Sequence, residues 1–418
     1  MTEILVFSED TLKPNTLIPE DQVTGVSRSA RSVVSFELII EGVSLKEKGL
    51  DDYVRKIMVD EHLNVENTLE VHIVNPDYNL QNSELFKAGN EIEVYLGWVD
   101  TGVVSHGKYI LTTPELRYPK HGVAYIKLVG NNKAVLLSQY GQKRRSFEKK
   151  KDSEIAQIIA TEYGLQTDIK DTEDKFDIVI QANETDLAFL LRRAELYGYI
   201  LYVDDNTLHY HPVRFTDTGR KIGFRVSTGD NVNFDNVNLK TTTFLQALEV
   251  HKQQVHWETL DIYAEHSNEE EDSLYKAAKD SGTIKYAKEI VGLSPQATWY
   301  LVGEGHIQSI DELRRQTEAF SKSSRWIVEV TGSTLGVEIM EAGKILRIEN
   351  MDEYDGAYLI RDCRHVYNAI KSGFSYTTVY VLQRTFNRII KEDINLAQDS
   401  KPIDITSGLE SEGFIGTT

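Results

Sequence analysis

His209 and His211 stand one residue apart, so on a strand their imidazoles share a face, a spacing at which a metal ion can be held. No further set of His, Asp and Glu points to the remaining ligands, and two histidines on a surface strand account for the pattern more simply. His251, His256 and His266 are spread over a β-like stretch and are weaker candidates. Gly332-Ser333-Thr334-Leu335-Gly336 places its serine one position too early for a nucleophile elbow. Gly303-Glu304-Gly305 lacks the third glycine and the preceding buried strand of a dinucleotide fingerprint, and there is no P-loop. With 65 acidic residues a pair of carboxylates can be drawn anywhere, so such pairs carry no weight for glycoside chemistry. Tyr95, Tyr109, Tyr125, Tyr358 and Tyr380 fall at strand positions, where packing explains them without a ligand. The expectation is no catalytic, cofactor-binding or metal-binding residue, no cofactor and no enzyme activity.

The elements that would position any site are β-rich and come twice. Trp326 to Val330 reads as a strand, followed by a turn at Thr331-Gly332-Ser333-Thr334, Glu341-Ala342-Gly343 and the run Ile345 to Ile348. Then come Gly356-Ala357-Tyr358-Leu359-Ile360, Cys363 to Tyr367, a turn at Lys371-Ser372-Gly373 and a strand from Phe374 to Leu382. Residues 68 to 129 repeat this order. Leu69, Val71 and Ile73 alternate with polar residues, Lys87-Ala88-Gly89 leads into Ile92, Val94 and Leu96, and Gly107-Lys108-Tyr109-Ile110-Leu111 follows. Leu116 to Tyr118, a turn at Lys120-His121-Gly122 and Val123 to Val129 complete the copy. Setting Gly89 on Gly343 puts Ile92 on Leu346 and Val94 on Ile348, preserving the inward face. Alternating apolar residues with glycine-containing turns indicate short antiparallel strands.

The fold class expected is α+β, mainly β, with two similar antiparallel β-barrel domains, an inserted α/β unit and peripheral helices. Residues 1–24, with Pro14 and Pro19, form an N-terminal arm, and 25–141 the first barrel, in which Leu50 to Val59 reads as a short helix because Tyr53, Val54 and Ile57 share a face. Gln142 to Asp152 is basic and reads as a solvated linker opening an α/β domain at 142–223. There, Ile155, Ile158 and Ile159 mark one helix. A second, with Leu187, Leu190, Leu191 and Ala194 on one face, starts at Thr185-Asp186 and is capped by Gly198. A hairpin turns at Asp204-Asp205-Asn206. Residues 224–308 form a connecting β region with an acidic insertion, Glu269-Glu270-Glu271-Asp272, in a helix and loop outside the core. Residues 309–386 begin with a capping box, Ser309-Ile310-Asp311-Glu312, and carry the second barrel. The polar extension 387–418 buries too little apolar surface to fold alone and is expected to order on a partner.

The chain of 418 residues is long enough for about two to four domains. No run of about 18 apolar residues exists, and Met1-Thr2-Glu3 lacks the plan of a signal peptide, so a soluble chain that is not exported by that route is expected. Cys363 is the only cysteine, which excludes an intrachain disulfide and a cysteine zinc site. The net charge of −19 opposes general nucleic-acid binding and would let DNA slide past without sticking.

Within that frame Asn183-Glu184-Thr185-Asp186-Leu187-Ala188-Phe189-Leu190-Leu191-Arg192-Arg193-Ala194-Glu195 and Gly198-Tyr199 are notable. Together with Thr331-Gly332-Ser333-Thr334-Leu335-Gly336, Glu341-Ala342-Gly343 and Gly356-Ala357-Tyr358-Leu359-Ile360, they resemble the hub family of contractile phage tails. That family includes phage late-control protein D and the N-terminal hub region of type VI secretion spike proteins. The resemblance covers roughly residues 25 to 386. Segment 267–305 is more acidic than the family pattern, and nothing after Phe386 resembles the needle domain of a secretion spike.

The resemblance implies a homotrimer whose six near-equivalent barrels join a sixfold tail tube protein ring to a separate threefold spike protein. It also implies contacts with other baseplate proteins and the tape measure protein, with passive passage of DNA or cargo and no stable membrane insertion. The expected location is a virion tail baseplate or an extracellular injection particle, assembled in the bacterial cytoplasm. Two other functions are kept open: a tail-associated cell-wall hydrolase and a monomeric carbohydrate-binding module.

Overall fold

The computed structural model describes residues 33–75, 80–139, 141–214, 216–223, 326–349, 356–370 and 373–385, with shorter pieces at 24–25, 232–233, 236–241, 244–245, 249–254, 262–267, 285–286, 298–301 and 319. The expected capping box at Ser309, the acidic run at Glu269 and the extension after Asn387 lie outside the described residues.

The first barrel is built from β1 (Val34–Ile40), β2 (Val54–His62), β3 (Thr68–Val74), β4 (Glu91–Trp98), β5 (Gly102–Arg117) and β6 (Tyr125–Asn131). All neighbouring pairs in it are antiparallel, in the order β2-β3-β6-β5-β4-β1. Alternate residues such as Leu69, Val71, Ile73, Ile92, Val94, Leu96, Ile126 and Leu128 point inward and form one core. The sequence period of two in these strands therefore maps onto one buried face.

The α/β unit follows, with α1 (Val135–Gln139), β7 (Lys143–Lys151), α2 (Asp152–Glu162), β8 (Gln166–Ile169), β9 (Lys175–Glu184), α3 (Asp186–Glu195), β10 (Tyr199–Asp204) and β11 (Thr207–Pro212). The β7–β9 pair is antiparallel, and β8 runs parallel to β11 beside the β10–β11 hairpin. Thr185 caps α3 as its sequence position suggests, its hydroxyl accepting from the Ala188 amide at 3.2 Å. The Ile155, Ile159, Phe189, Leu190 and Tyr210 side chains share a separate core that also takes in Ala134 and Leu137.

The second barrel uses β12 (Thr216–Gly223), β13 (Asn236–Thr241), β14 (Trp326–Leu335), β15 (Lys344–Glu349), β16 (Gly356–Ile370) and β17 (Gly373–Thr385). Its order is β13-β14-β17-β16-β15-β12, which is that of the first barrel from β2 to β4 with β13 in the place of β2. The likeness extends to individual bonds. The Gly89 amide donates to Leu111 at 2.7 Å and the Gly343 amide to Ile360 at 2.8 Å, with φ of 95° and 91° at the two glycines. Ile92 pairs with Tyr109 and Leu346 with Tyr358. One extra residue bulges out of the middle strand at the same place, Thr112 between Leu111 and Thr113, and Arg361 between Ile360 and Asp362.

The bulge lets β16 serve both barrels. Its first part pairs with β15, and its second, Asp362 to Asn368, pairs with β2 from His62 to Lys56. The two barrels are thereby zipped into one fifteen-stranded sheet.

Three local expectations are corrected. Leu50 to Val59 is no α-helix: a 3-10 turn at Asp51–Tyr53 leads into β2. A bulge between Val54 and Lys56 sets the buried Val54 and Ile57 three residues apart, which imitates helical spacing. Thr331 to Thr334 is not a turn but continues β14, paired with β17 and β13 on its two sides. The basic run Lys143 to Lys151 is a strand paired with β9, not a solvated linker, and three of its cations have fixed partners: Lys143 and Arg145 both meet Asp186, each at 2.6 Å, and Lys151 meets Asp171 at 2.7 Å.

Candidate functional site

The two barrels and the α/β unit meet around a cavity of ≈ 410 Å³. Its wall includes Glu61, His62 and His106 from the first barrel, Tyr202, His209, His211 and Arg214 from the α/β unit, and Glu341 and Lys344 from the second. Two clusters of His and acidic groups line or adjoin it, Asp168–His209–His211 and Glu61–His106–His365.

In the first cluster β11 supplies both histidines, and the parallel register of β8 puts Asp168 directly beside His209. Asp168 Oδ2 lies 3.0 Å from His209 Nδ1 and 3.6 Å from His211 Nε2. Tyr202 stacks on His209, with ring centroids 4.4 Å apart. His211 is buried, contrary to the surface pair expected, and its Nδ1–H donates to the Pro212 carbonyl at 2.7 Å. This fixes the tautomer and leaves Nε2 as a buried lone pair without a hydrogen bond. These three side chains could hold a cation. Arg214 already engages both Asp168 oxygens, one at 2.9 Å, and its guanidinium holds the Asp168 carboxyl down at about 2. The carboxylate charge that a cation would use is thus neutralised in place.

The second cluster sits where β2, β5 and β16 come together. Glu61 Oε1 is 3.1 Å from His106 Nδ1, and the His106 and His365 rings are 4.2 Å apart. The Met340 carbonyl can only accept, so His365 Nε2 carries the proton it donates there at 2.9 Å, and Nδ1 accepts from the Tyr376 hydroxyl at 2.7 Å. Burial raises the Glu61 carboxyl to about 7 and lowers His106 to about 4, while burial together with neighbouring His106 takes His365 to about 3.

Cys363 Sγ is 3.2 Å from His365 Nε2, a pair of types found in thiol nucleophiles. Here burial pushes the thiol well above its usual range, and the facing imidazole nitrogen already bears a proton, so the contact is packing. Ser333 lies within β14, opposite Asn236 and Val379, with no elbow around it. His251 and His266 lie on an antiparallel strand pair, whereas His256 and Gly303 to Gly305 are outside the described residues.

Asp168, Glu61, His106 and His365 were not singled out by sequence reasoning. Asp168 and His209 are 41 residues apart in the chain and become neighbours only through the parallel pairing of β8 and β11. No local spacing carries that information. Glu61 and His106 of the first barrel pack against His365 of the second where the barrels join, beside a hydrogen bond of 3.0 Å from Trp98 Nε1 to the Gly336 carbonyl.

The fold is one that phage tail proteins use. The 43 kDa tail protein of prophage MuSo2 from Shewanella oneidensis superimposes with a TM-score of 0.58 at 13% identity, over 84% of this chain and 98% of that one. The tail protein from Neisseria meningitidis MC58 gives 0.57 at 12% identity, over 87% and 99%. A chain of the half-lidded Francisella PdpA–VgrG complex gives 0.54 at 10% identity, over 87% of this chain and 60% of its own length. The chain belongs to the family described as the Alg8 N-terminal domain, whose model matches residues 30–368. That is a different family model from the late-control protein D group that the sequence motifs resemble. No curated protein matches the sequence. Among the described residues no helix is long and apolar enough to cross a membrane.

Proposed function

We propose that this chain is a structural baseplate hub of a contractile phage tail or phage-like injection particle. Three copies form a ring of six pseudo-equivalent barrels that joins the sixfold tail tube to a separate threefold spike, and the chain has no catalytic task. The observation that carries this reading is the internal repeat: two barrels with one strand order, one bulge position and matching glycine hydrogen bonds, fused edge to edge. A closed ring of three such chains presents six similar faces from one polypeptide, which resolves a threefold to sixfold mismatch.

The division into 25–141 and 309–386 as barrel domains, 142–223 as the inserted unit and 387–418 as a partner-gripping extension belongs to this proposal, with Thr216–Gly223 and Asn236–Thr241 now counted to the second barrel because they pair with its strands. So do the tube ring, spike, further baseplate proteins and tape measure protein as partners, the baseplate location and assembly in the cytoplasm. The likeness of fold to phage tail proteins supports it.

Native mass spectrometry of the purified chain and imaging of the particle axis test the reading together. A trimer on the axis between tube and spike is expected. A monomer in solution with no trimer in assembled particles refutes it. Clear lysis on a cell-wall zymogram would replace it with a hydrolase.

A further inference from the structure

Resting on the ring reading above, we infer which strand edges join neighbouring chains, and in what register: the Thr113–Arg117 part of β5 pairs antiparallel with β13 of the next copy. The argument starts from the junction already present within one chain. There β2, which flanks β3, lends its other edge to the second part of β16, with Asp60 opposite Arg364, Val59 opposite His365, Met58 opposite Val366 and Ile57 opposite Tyr367.

The repeat converts each of these residues into a counterpart. Leu69, Gly130 and Leu111 lie side by side across the first barrel as Val330, Leu382 and Ile360 do across the second. Counting on from Leu111 and Ile360 past the shared bulge sets Glu115 on Arg364, Leu116 on His365 and Tyr118 on Tyr367. On the other side, Val59 faces Leu69 and Leu239 faces Val330, so β13 stands where β2 does, with Lys240 on Asp60 and Val237 on Ile57. Yet among the described residues β13 pairs only with β14, and the outer edge of β5 beyond Leu111 has no strand partner. Each chain thus offers one of each half of a junction that it also contains complete.

Exposure agrees. His365 and Tyr367, covered by β2, are 0% and 2% exposed, whereas their counterparts Leu116 and Tyr118 are 44% and 60% exposed. An apolar residue such as Leu116, 44% exposed on a sheet edge where the sister barrel buries its counterpart, suits a position that a further strand covers. Charge agrees as well. Asp60 and Arg364 form an ion pair within the chain, and their counterparts Lys240 and Glu115 are again of opposite sign, with the signs exchanged. The partner is a second copy of this chain, because only it brings β13. Placing Glu115 opposite Lys240, Leu116 opposite Leu239 and Tyr118 opposite Val237 closes three chains into a ring in which junctions within and between chains alternate.

The test joins Glu115→Cys in one preparation with Lys240→Cys in another. Residues directly opposite on antiparallel strands are within disulfide reach, and the native Cys363 is buried. Mild oxidation of the mixture should give covalent dimers on denaturing gels, either variant alone should give none, and the double variant should give covalent trimers. Charge reversal at Glu115→Lys should weaken the trimer about tenfold, with recovery when Lys240→Glu is added. Trimers by native mass spectrometry that never cross-link overturn this pairing and leave the ring standing. A chain that stays monomeric overturns both.

Discussion

Replacing Glu61 by Gln should change the pH dependence of stability in a way worked out from the barrel junction. Glu61 is raised from 4.5 to about 7 by burial, so its contribution is present below 4.5 and is lost as pH rises through 7. His106 and His365 are lowered from 6.5 to about 4 and about 3, so theirs is present above 6.5 and is lost as pH falls through the window down to those values. Between pH 4.5 and 6.5 the folded junction holds one proton, on Glu61, and the unfolded chain holds two, on the imidazoles. A net difference of one proton makes stability rise with pH by about 1.4 kcal/mol per unit. From 6.5 to 7 only the folded-state proton remains, and stability declines.

Glu61→Gln keeps the shape and a hydrogen-bonding amide while removing the titration. The slope below pH 6.5 should double to about 2.7 kcal/mol per unit, and the decline above 6.5 should vanish. Urea unfolding followed by tryptophan fluorescence from pH 4.5 to 8 reads both, since Trp98 packs 5.8 Å from Tyr376 beside the cluster. Equal slopes in the two proteins would refute the assignment of a neutral Glu61 to the folded junction.

Other expectations follow from single contacts. Asp152→Asn strands the buried Arg193, now held by two bonds of 2.6 and 2.7 Å, and should cost about 3–5 kcal/mol. Arg193→Met added to it should restore most of the loss in a denaturant melt. Gly336→Ala would bring a methyl within 1.9 Å of the Tyr376 ring, and a loss of about 3 kcal/mol with a weakened barrel junction is expected by the same assay. Gly89→Ala and Gly343→Ala, at matching left-handed positions, should each cost about 1–2 kcal/mol and by similar amounts. A large difference between them in parallel melts would contradict the equivalence of the two sites.

What could be read in the sequence was what local chemistry determines. Alternation exposed the strands, Thr185 and Gly198 framed α3, and the Ala-Gly and Gly-x-Tyr pairs aligned the two barrels in the register that the hydrogen bonds of Gly89 and Gly343 share. Bulges defeated it, since one inserted residue turned the alternation of β2 into helical spacing. Long-range charge defeated it too. Lys143 and Arg145 look solvated until Asp186, at the start of a helix about 40 residues on, is folded against them, where those cations and Tyr163 hold its carboxyl low against the effect of burial.

The junction shows why burial in particular escapes a reader of residues. Tyr118 and Tyr367 are the same amino acid at the same place in the repeat, yet one is exposed and the other is buried. The difference lies in the strand beside them. Whether a position belongs to a core is decided by the strand beside it, and in the pairing proposed above the strand covering the β5 edge at Leu116 and Tyr118 is β13 of another chain. The Leu116→Asp variant should therefore leave the monomer's unfolding curve nearly unchanged while abolishing the trimer, whereas Tyr367→Asp should destabilise the chain itself by about 3 kcal/mol or more. Loss of monomer stability in both variants alike would place Leu116 in the fold of its own chain and remove it from the interface.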